Sequence, residues 1–274
     1  MLRRAISVIG PPATGKTALT MRVCQLPGRR VFRLREHVPA ALLAATAGTP
    51  GQLGWIDDFT VITSAHDYIE SAVREEDVHT LLLDDFPGTG TQVSLFLSVL
   101  RQLAPGCTVL AAELIADPMI LWRRAATRRV CHYCEHDPIR GPRLPAVPGQ
   151  ADPGRCARCD HPLLMRRCDA PDLYRARRQR YYHVAGGIRR AFAAGGVGMT
   201  QLDSGRSLDD TTRELAALLT SRANGDKGMS LMRISTGRQM FPGAPAAMTR
   251  CRSPPSHESG PASGLRSRAG VPPA

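Results

Sequence analysis

The sequence predicts an α/β fold: a parallel sheet covered by helices on both faces, with a small metal-binding insertion. Three observations predict it. Short apolar runs alternate with stretches of helical spacing from residue 5 to residue 222, the order that produces a parallel sheet with crossover helices. A glycine-rich turn carrying a lysine joins the first apolar run to the first helix. Two C-x-x-C pairs lie where the alternation stops, within 131–160.

The elements follow in order. "AISVIG" (5–10) is a short apolar strand, and "GKTALTMRVCQL" (15–26) a helix stopped by Pro27-Gly28. "RRVFRL" (29–34) reads as a second strand, and "EHVPAALLAAT" (36–46) as a helix interrupted near its start by Pro39. "GTPGQLGW" (48–55) is loop, and "SAHDYIESAVREE" (64–76) an amphipathic helix. "VHTLLLDD" (78–85) and "CTVLAAELI" (107–115) are buried strands, followed by helices at 91–103 and 117–129 respectively. "DLYRARRQRYYHVAGGIRRAFAA" (172–194) resumes as helix, with a kink or fray expected at Gly186-Gly187. "MTQLD" (199–203) is a last strand, and 207–222 a helix with Ser207 as N-cap.

The chain has 274 residues, 43% of them hydrophobic, enough for one large domain. No apolar run approaches 18 residues, so no membrane span is expected. "MLRRAISVIGPP" has too short an apolar run for a secretory signal, which points to the cytoplasm. The net charge is +12. Residues 1–221 hold 28 basic and 22 acidic groups, and 222–274 hold 8 and 2, so each part contributes +6. A mildly basic body suits phosphate handling and does not suggest a nucleic-acid groove. The tail lacks periodicity and is expected to be a disordered basic segment whose partner the sequence does not identify. A monomer is expected.

"GPPATGKT" fits G-x-x-x-x-G-K-T between a strand and a helix, the context that defines a P-loop. Gly10, Pro11, Ala13, Thr14 and Gly15 form the turn that brings backbone N–H groups around phosphate oxygens. Lys16, one of only two lysines against 34 arginines, supplies a compact charge for the β- and γ-phosphates of ATP. Thr17 offers a hydroxyl to Mg²⁺. Cys131, Cys134, Cys156 and Cys159 give C-x₂-C-x₂₁-C-x₂-C, a spacing that closes a structural Zn²⁺ site. Four thiolates leave no open position for metal catalysis, while metal would staple a Pro-rich loop that lacks its own core.

These segments resemble the adenylate kinase family of nucleoside monophosphate kinases. The family loop G-P-P-G-x-G-K is similar to "GPPATGKT", and its D-G-F-P-R-T-x-x-Q is similar to "DDFPGTGTQ" (84–92). The resemblance implies Mg²⁺ held by Asp84 through water and an acceptor base met by Gln92. The family's R-x-x-x-R entering a lid resembles "RRAATRR", which implies adenine packing for Arg124 and ATP-phosphate contact for Arg128. Its R-x-D-D, followed by a helix with a second arginine, resembles "RRCDAPDLYRAR". Arg166 and Arg177 would then embrace the transferring phosphoryl group, with Arg175 and Arg178 as alternatives in a shifted register. Asp169 matches the second aspartate and Cys168 replaces the first. The implied parts are a core over 1–130 with an acceptor-binding insertion at about 29–76, a lid over 131–165, core completion over 166–221, and the tail. The implied reaction is Mg²⁺-ATP-dependent phosphoryl transfer to a nucleoside monophosphate, so the expected partners are small nucleotides.

The acceptor side departs from the family. Gly88 stands where an arginine is usual, Asp85 where a glycine is usual, and no S-T-G-D segment occurs. Arg33, Arg35 and His37 are the available substitutes. Two alternatives therefore stay open: a kinase for another small phosphoacceptor, and an ATP-binding module with little kinase activity.

Overall fold

The computed structural model describes residues 1–47, 56–134 and 144–221. The loop expected at 48–55, part of the insertion loop (135–143) and the tail lie outside the described residues. The elements are β1 (Arg4–Ile9), α1 (Lys16–Val23), β2 (Arg29–Phe32), α2 (Leu34–His37), α3 (Ala40–Ala47), α4 (Asp58–Arg74), β3 (Thr80–Asp84) and α5 (Gly90–Leu103). Then come β4 (Thr108–Ile115), α6 (Pro118–Thr127), β5 (Arg129–Val130), β6 (Leu164–Met165), a 3₁₀ turn (Arg167–Asp169), α7 (Pro171–Ala194), β7 (Met199–Asp203) and α8 (Leu208–Ser221). No described helix is long and apolar enough to cross a membrane.

The five long strands pair in parallel in the order β2-β3-β1-β4-β7. Alternate side chains feed opposite faces, as the two-residue period of a strand requires. Ala5, Ile9, Leu81 and Leu83 pack with Val61 and Ile69 of α4, Phe96 of α5 and Phe192 of α7. Ile6, Val8, Leu82 and Leu114 pack with Leu19 of α1 and Leu215 of α8. Each such fully buried Val, Leu, Ile or Phe side chain is worth about 1.5–3 kcal/mol relative to exposure. The chain runs from central β1 outward to β2, returns to β3, then crosses to β4 on the other side of β1. That reversal makes the carboxyl end of β1 a topological switch point, where α/β sheets place their ligands.

Beyond ends that fall two or three residues early (α1 at Val23, β2 at Phe32, α6 at Thr127), three elements differ from the sequence reading. The helix expected over 64–76 starts at Asp58, because Asp57 caps it by accepting from Thr60 N at 2.9 Å. The β-branched run Thr60–Thr63 disguises that first turn, but burial of Val61 in register with Ala65 and Ile69 overrides local preference. The helix expected over 36–46 is two helices, with Val38 extended before Pro39, the backbone a following proline imposes. α7 runs unbroken through Gly186-Gly187. α5 starts close against it: a Cβ on Gly90 would stand 3.0 Å from the Gly187 carbonyl oxygen, whereas one on Gly187 would meet nothing within 4 Å.

β5 and β6 pair antiparallel, Arg129 with Met165 and Val130 with Leu164, closing the base of the cysteine-bearing insertion. Its small core contains Cys131, Cys156 and Leu163.

Candidate functional site

A cavity of about 750 Å³ opens at the carboxyl ends of β1, β3 and β4. β1 ends at Ile9 and leads into the loop, whose backbone enters the left-handed region at Ala13 (φ 70°) and Gly15 (φ 88°). Gly10 is required by close approach, since a Cβ there would lie 2.7 Å from the Leu114 carbonyl oxygen. Ala13 holds the position where the resembling loop has glycine, and its positive φ gives the physical reason for that preference. α1 begins at Lys16, so its positive end faces the cavity.

Lys16 is buried and points back into the loop. Its Nζ donates to Gly10 O at 2.6 Å and Pro11 O at 2.9 Å, and lies 3.4 Å from Asp85 Oδ1. Burial pushes its pKa below the ordinary lysine value, while the Asp85 charge works in the opposite direction. Asp85 reaches this position from a left-handed backbone, φ 59°. A glycine at that place would adopt the same turn without strain.

Asp84 ends β3 opposite Val8 of β1. It is buried, its Oδ1 has no hydrogen-bond partner, and its Oδ2 lies 3.5 Å from Arg33 Nε. Burial first, and the Asp85 charge second, push its carboxyl up to about 6, while the Thr17 hydroxyl works in the opposite direction. An orphaned carboxylate oxygen beside a hydroxyl is a poor end state for a buried acid and a good donor set for a cation.

The predicted arginines converge here from separate parts of the chain. Arg35, Arg124, Arg128, Arg166 and Arg177 all line the cavity, with Arg33, Arg180 and Arg206. These eight and Lys16 face three acids, Glu36, Asp84 and Asp85. Arg124 donates to Ser204 O at 2.7 Å and to Arg206 O at 3.4 Å, which ties α6 to the turn after β7. Arg128 Nε donates to Asp169 Oδ2 at 2.7 Å, and Arg177 donates to Cys168 O at 3.4 Å and approaches Asp169 Oδ1 at 3.9 Å. Asp169, its side chain fully buried, thus spaces two cavity arginines. Burial, with Arg177 nearby, pushes the Arg35 and Arg166 pKa values down. Arginine nevertheless keeps its charge in proteins.

The remaining predicted residues divide. Thr14, Gly88 and Gln92 line the cavity, and Pro11 does not, although its carbonyl holds Lys16. Gln92 is engaged internally: its Oε1 accepts from Gly88 N at 2.7 Å and its Nε2 donates to Asp58 Oδ1 at 2.7 Å. Sequence reasoning missed Arg180, Tyr181 and Arg206 as cavity residues. Arg180 and Tyr181 follow Arg177 at helical i+3 and i+4 spacing, a signal that was present. Arg206 sits in a turn and carried none.

The four cysteines of the two C-x-x-C pairs come together, with all ligand atoms within 4.8 Å of one another. Sγ separations of 3.3, 3.4 and 3.6 Å exclude disulfides. They approach the ~3.8 Å edge of a tetrahedron with metal–sulfur bonds of about 2.3 Å. The Arg158 backbone N–H, the largest influence on Cys156, helps to hold that thiol down to about 7. The ligand set fits a structural metal such as zinc. Tyr133 and His161 stack beside it at 3.8 Å.

The chain matches no family model, and no curated protein matches it by sequence.

Proposed function

We propose that the chain is a Mg²⁺-ATP-dependent phosphotransferase resembling adenylate kinase, with a nucleoside monophosphate as acceptor. One observation carries the reading. The P-loop lysine, a buried strand-end aspartate with an orphan oxygen, and arginines from α6, the N-cap of the 3₁₀ turn and α7 meet in one cavity at the sheet's switch point. Phosphoryl transfer asks a protein for positioning and charge stabilisation more than for covalent chemistry, and these residue types supply both.

Lys16 and the N-terminus of α1 would hold the β- and γ-phosphates. Thr17 and Asp84 would hold Mg²⁺, which neutralises developing charge between the phosphates. Asp84 must be ionised for this, so a divalent cation favours the carboxylate over its protonated form. Arg166 and Arg177 would meet the equatorial oxygens of the transferring group, with Arg128 beside them and Asp169 holding the spacing. Arg124 is held between the turn after β7 and the cavity, where adenine packing is proposed for it. The four cysteines would bind structural Zn²⁺ and stiffen segment 131–165 as a lid, while 29–76 would frame the acceptor. Water exclusion by the lid would protect ATP from hydrolysis.

The acceptor half favours a second reading, transfer to a different small phosphoacceptor. Gly88 brings no cation, Asp85 adds an anion beside Lys16, and Gln92 is tied to Asp58 and Gly88. A coupled assay with ATP against AMP, CMP, UMP, GMP and non-nucleotide acceptors decides. Turnover of a monophosphate, reduced at least ~100-fold by Lys16→Ala, supports the first reading. Turnover only with another acceptor supports the second. ATP binding without transfer to any acceptor overturns both and leaves a nucleotide-binding module.

A further inference from the structure

A buried carboxylate outside the cavity ties the arginine-bearing helix to the P-loop strand's neighbour. Glu113 lies in β4, paired with Ile9 of β1 on one side and Gln201 of β7 on the other. Ile9 is the residue immediately before the P-loop. Glu113 is only 1% exposed, yet it is fully satisfied. Arg189 grips it with both ends of its fork, Nε to Oε2 at 2.9 Å and Nη2 to Oε1 at 2.6 Å. Tyr181 donates its hydroxyl to Oε1 at 2.5 Å, and Gln201 Nε2 donates to Oε2 at 3.3 Å. Burial drives the Glu113 carboxyl pKa up, but the bonds from Arg189, Tyr181 and Gln201 outweigh that and hold it below the usual range. It stays ionised.

α7 needs such an anchor. It contains six arginines and a single acid, Asp172, so like charges crowd along it. Its buried residues are Tyr174, Ala185, Ile188 and Phe192, three of them in its second half. α7 lines the cavity with Arg177, Arg180, Tyr181, Val184 and Ile188, and its charged part, Arg177 to Tyr181, lies between Tyr174 and Ala185 with no buried apolar side chain of its own. Tyr181 sits one turn, about 6 Å, beyond Arg177 on the same helix face. It both lines the cavity and bonds Glu113.

We propose that Glu113 is a positioning residue: through Tyr181 and Arg189 it sets the height and rotation of α7, and so the placement of Arg177 and Arg180 against the P-loop. This rests on the phosphotransferase reading above, in which Arg177 meets the transferring phosphoryl group. A salt bridge that merely stabilised the fold would lower the melting temperature and leave γ-phosphate recognition intact in the folded protein.

The test uses the full chain and its Tyr181→Phe and Glu113→Gln variants, with Arg177→Ala as reference. The readout is the ratio of ATP to ADP affinity by calorimetry with Mg²⁺, alongside kcat and the KM for ATP. Positioning predicts that Tyr181→Phe and Glu113→Gln shift the ATP/ADP ratio in the direction that Arg177→Ala does. It also predicts kcat lowered about tenfold, with the ATP KM within about twofold. Tyr181→Phe, which keeps the Arg189 pair, decides the matter if Glu113→Gln does not fold. An ATP/ADP ratio unchanged from wild type in folded Tyr181→Phe overturns the proposal, whatever happens to stability. If the wild type binds ATP but transfers to no acceptor, the catalytic reading falls while the affinity ratio still decides the positioning. A wild type that binds no ATP overturns both.

Discussion

Asp85→Gly isolates the least expected contact in the cavity. Asp85 holds φ 59° and puts Oδ1 3.4 Å from Lys16 Nζ. Two consequences of removing it can be sized separately. Glycine relieves a left-handed backbone worth roughly 1 kcal/mol, and loses about 0.5–1 kcal/mol through the entropy of the unfolded chain. Net stability should therefore barely move. Nucleotide affinity should move more. A carboxylate beside the lysine also stands beside the phosphates that lysine would bind. A unit charge at about 4 Å contributes ~1 kcal/mol in water and ~4 kcal/mol at an effective dielectric of 20. The Asp85 side chain is 55% exposed, so the value belongs near the lower limit. About 1 kcal/mol corresponds to roughly fivefold tighter ATP binding. Calorimetric titration with Mg²⁺-ATP at low and high salt measures it, and screening should shrink the gain at high salt. Asp85→Asn separates charge from backbone, because asparagine tolerates the left-handed region and should give the same gain. If neither variant binds ATP more tightly than wild type, Asp85 does not compete with phosphate and the reasoning fails. Weaker binding that worsens as Mg²⁺ is lowered would instead make Asp85 a metal ligand.

Other outcomes follow from the same geometry. Asp84 has its folded pKa raised to about 6 from 3.8, so the folded state holds its proton more tightly than the unfolded chain. Its contribution to stability is then fully present below about pH 4 and declines as pH rises toward 6, by about 3 kcal/mol at most. Thermal melts of wild type and Asp84→Asn between pH 4 and 8, without metal, should show that difference, and Mg²⁺ should reverse it. Identical pH slopes in the two proteins would remove the claim. Cys131→Ser should abolish stoichiometric zinc on metal analysis and lower the melting temperature, whereas retained zinc would contradict the four-cysteine site. Gly90→Ala puts a Cβ 3.0 Å from the Gly187 carbonyl oxygen. Denaturant unfolding should show a loss of about 1–3 kcal/mol, and an unchanged midpoint would mean that α5 and α7 separate freely.

Much of the fold was legible because its signals are local. Alternation of buried strands with helices and the Ser207 cap each act within a few residues, and each has its counterpart in the structure, whereas α1 already ends at Val23, before the expected Pro27-Gly28 stop. The start of α4 was missed, because Thr60–Thr63 prefers strand locally, while the Asp57 cap and the packing of Val61 decide otherwise. Gly186-Gly187 looked like a helix defect, yet α7 runs straight through it, and the close approach constrains Gly90 instead, 97 residues away along the chain.

By itself the sequence determined which chemical groups this protein owns: a glycine-rich loop with its lysine, a strand ending on Asp84, paired cysteines and a surplus of arginine. Tertiary structure alone decided which of them meet and in what state. It joined Arg206, far from any motif, to the same cavity as Arg35. It turned Gln92 onto Asp58, closed Asp85 onto Lys16, and buried Glu113 beneath Tyr181 and Arg189. The physical reason is that strand and helix periodicities are written over a few neighbouring residues. Charge contacts, by contrast, fall off with distance in space, and strand order and register bring together groups that the chain holds far apart.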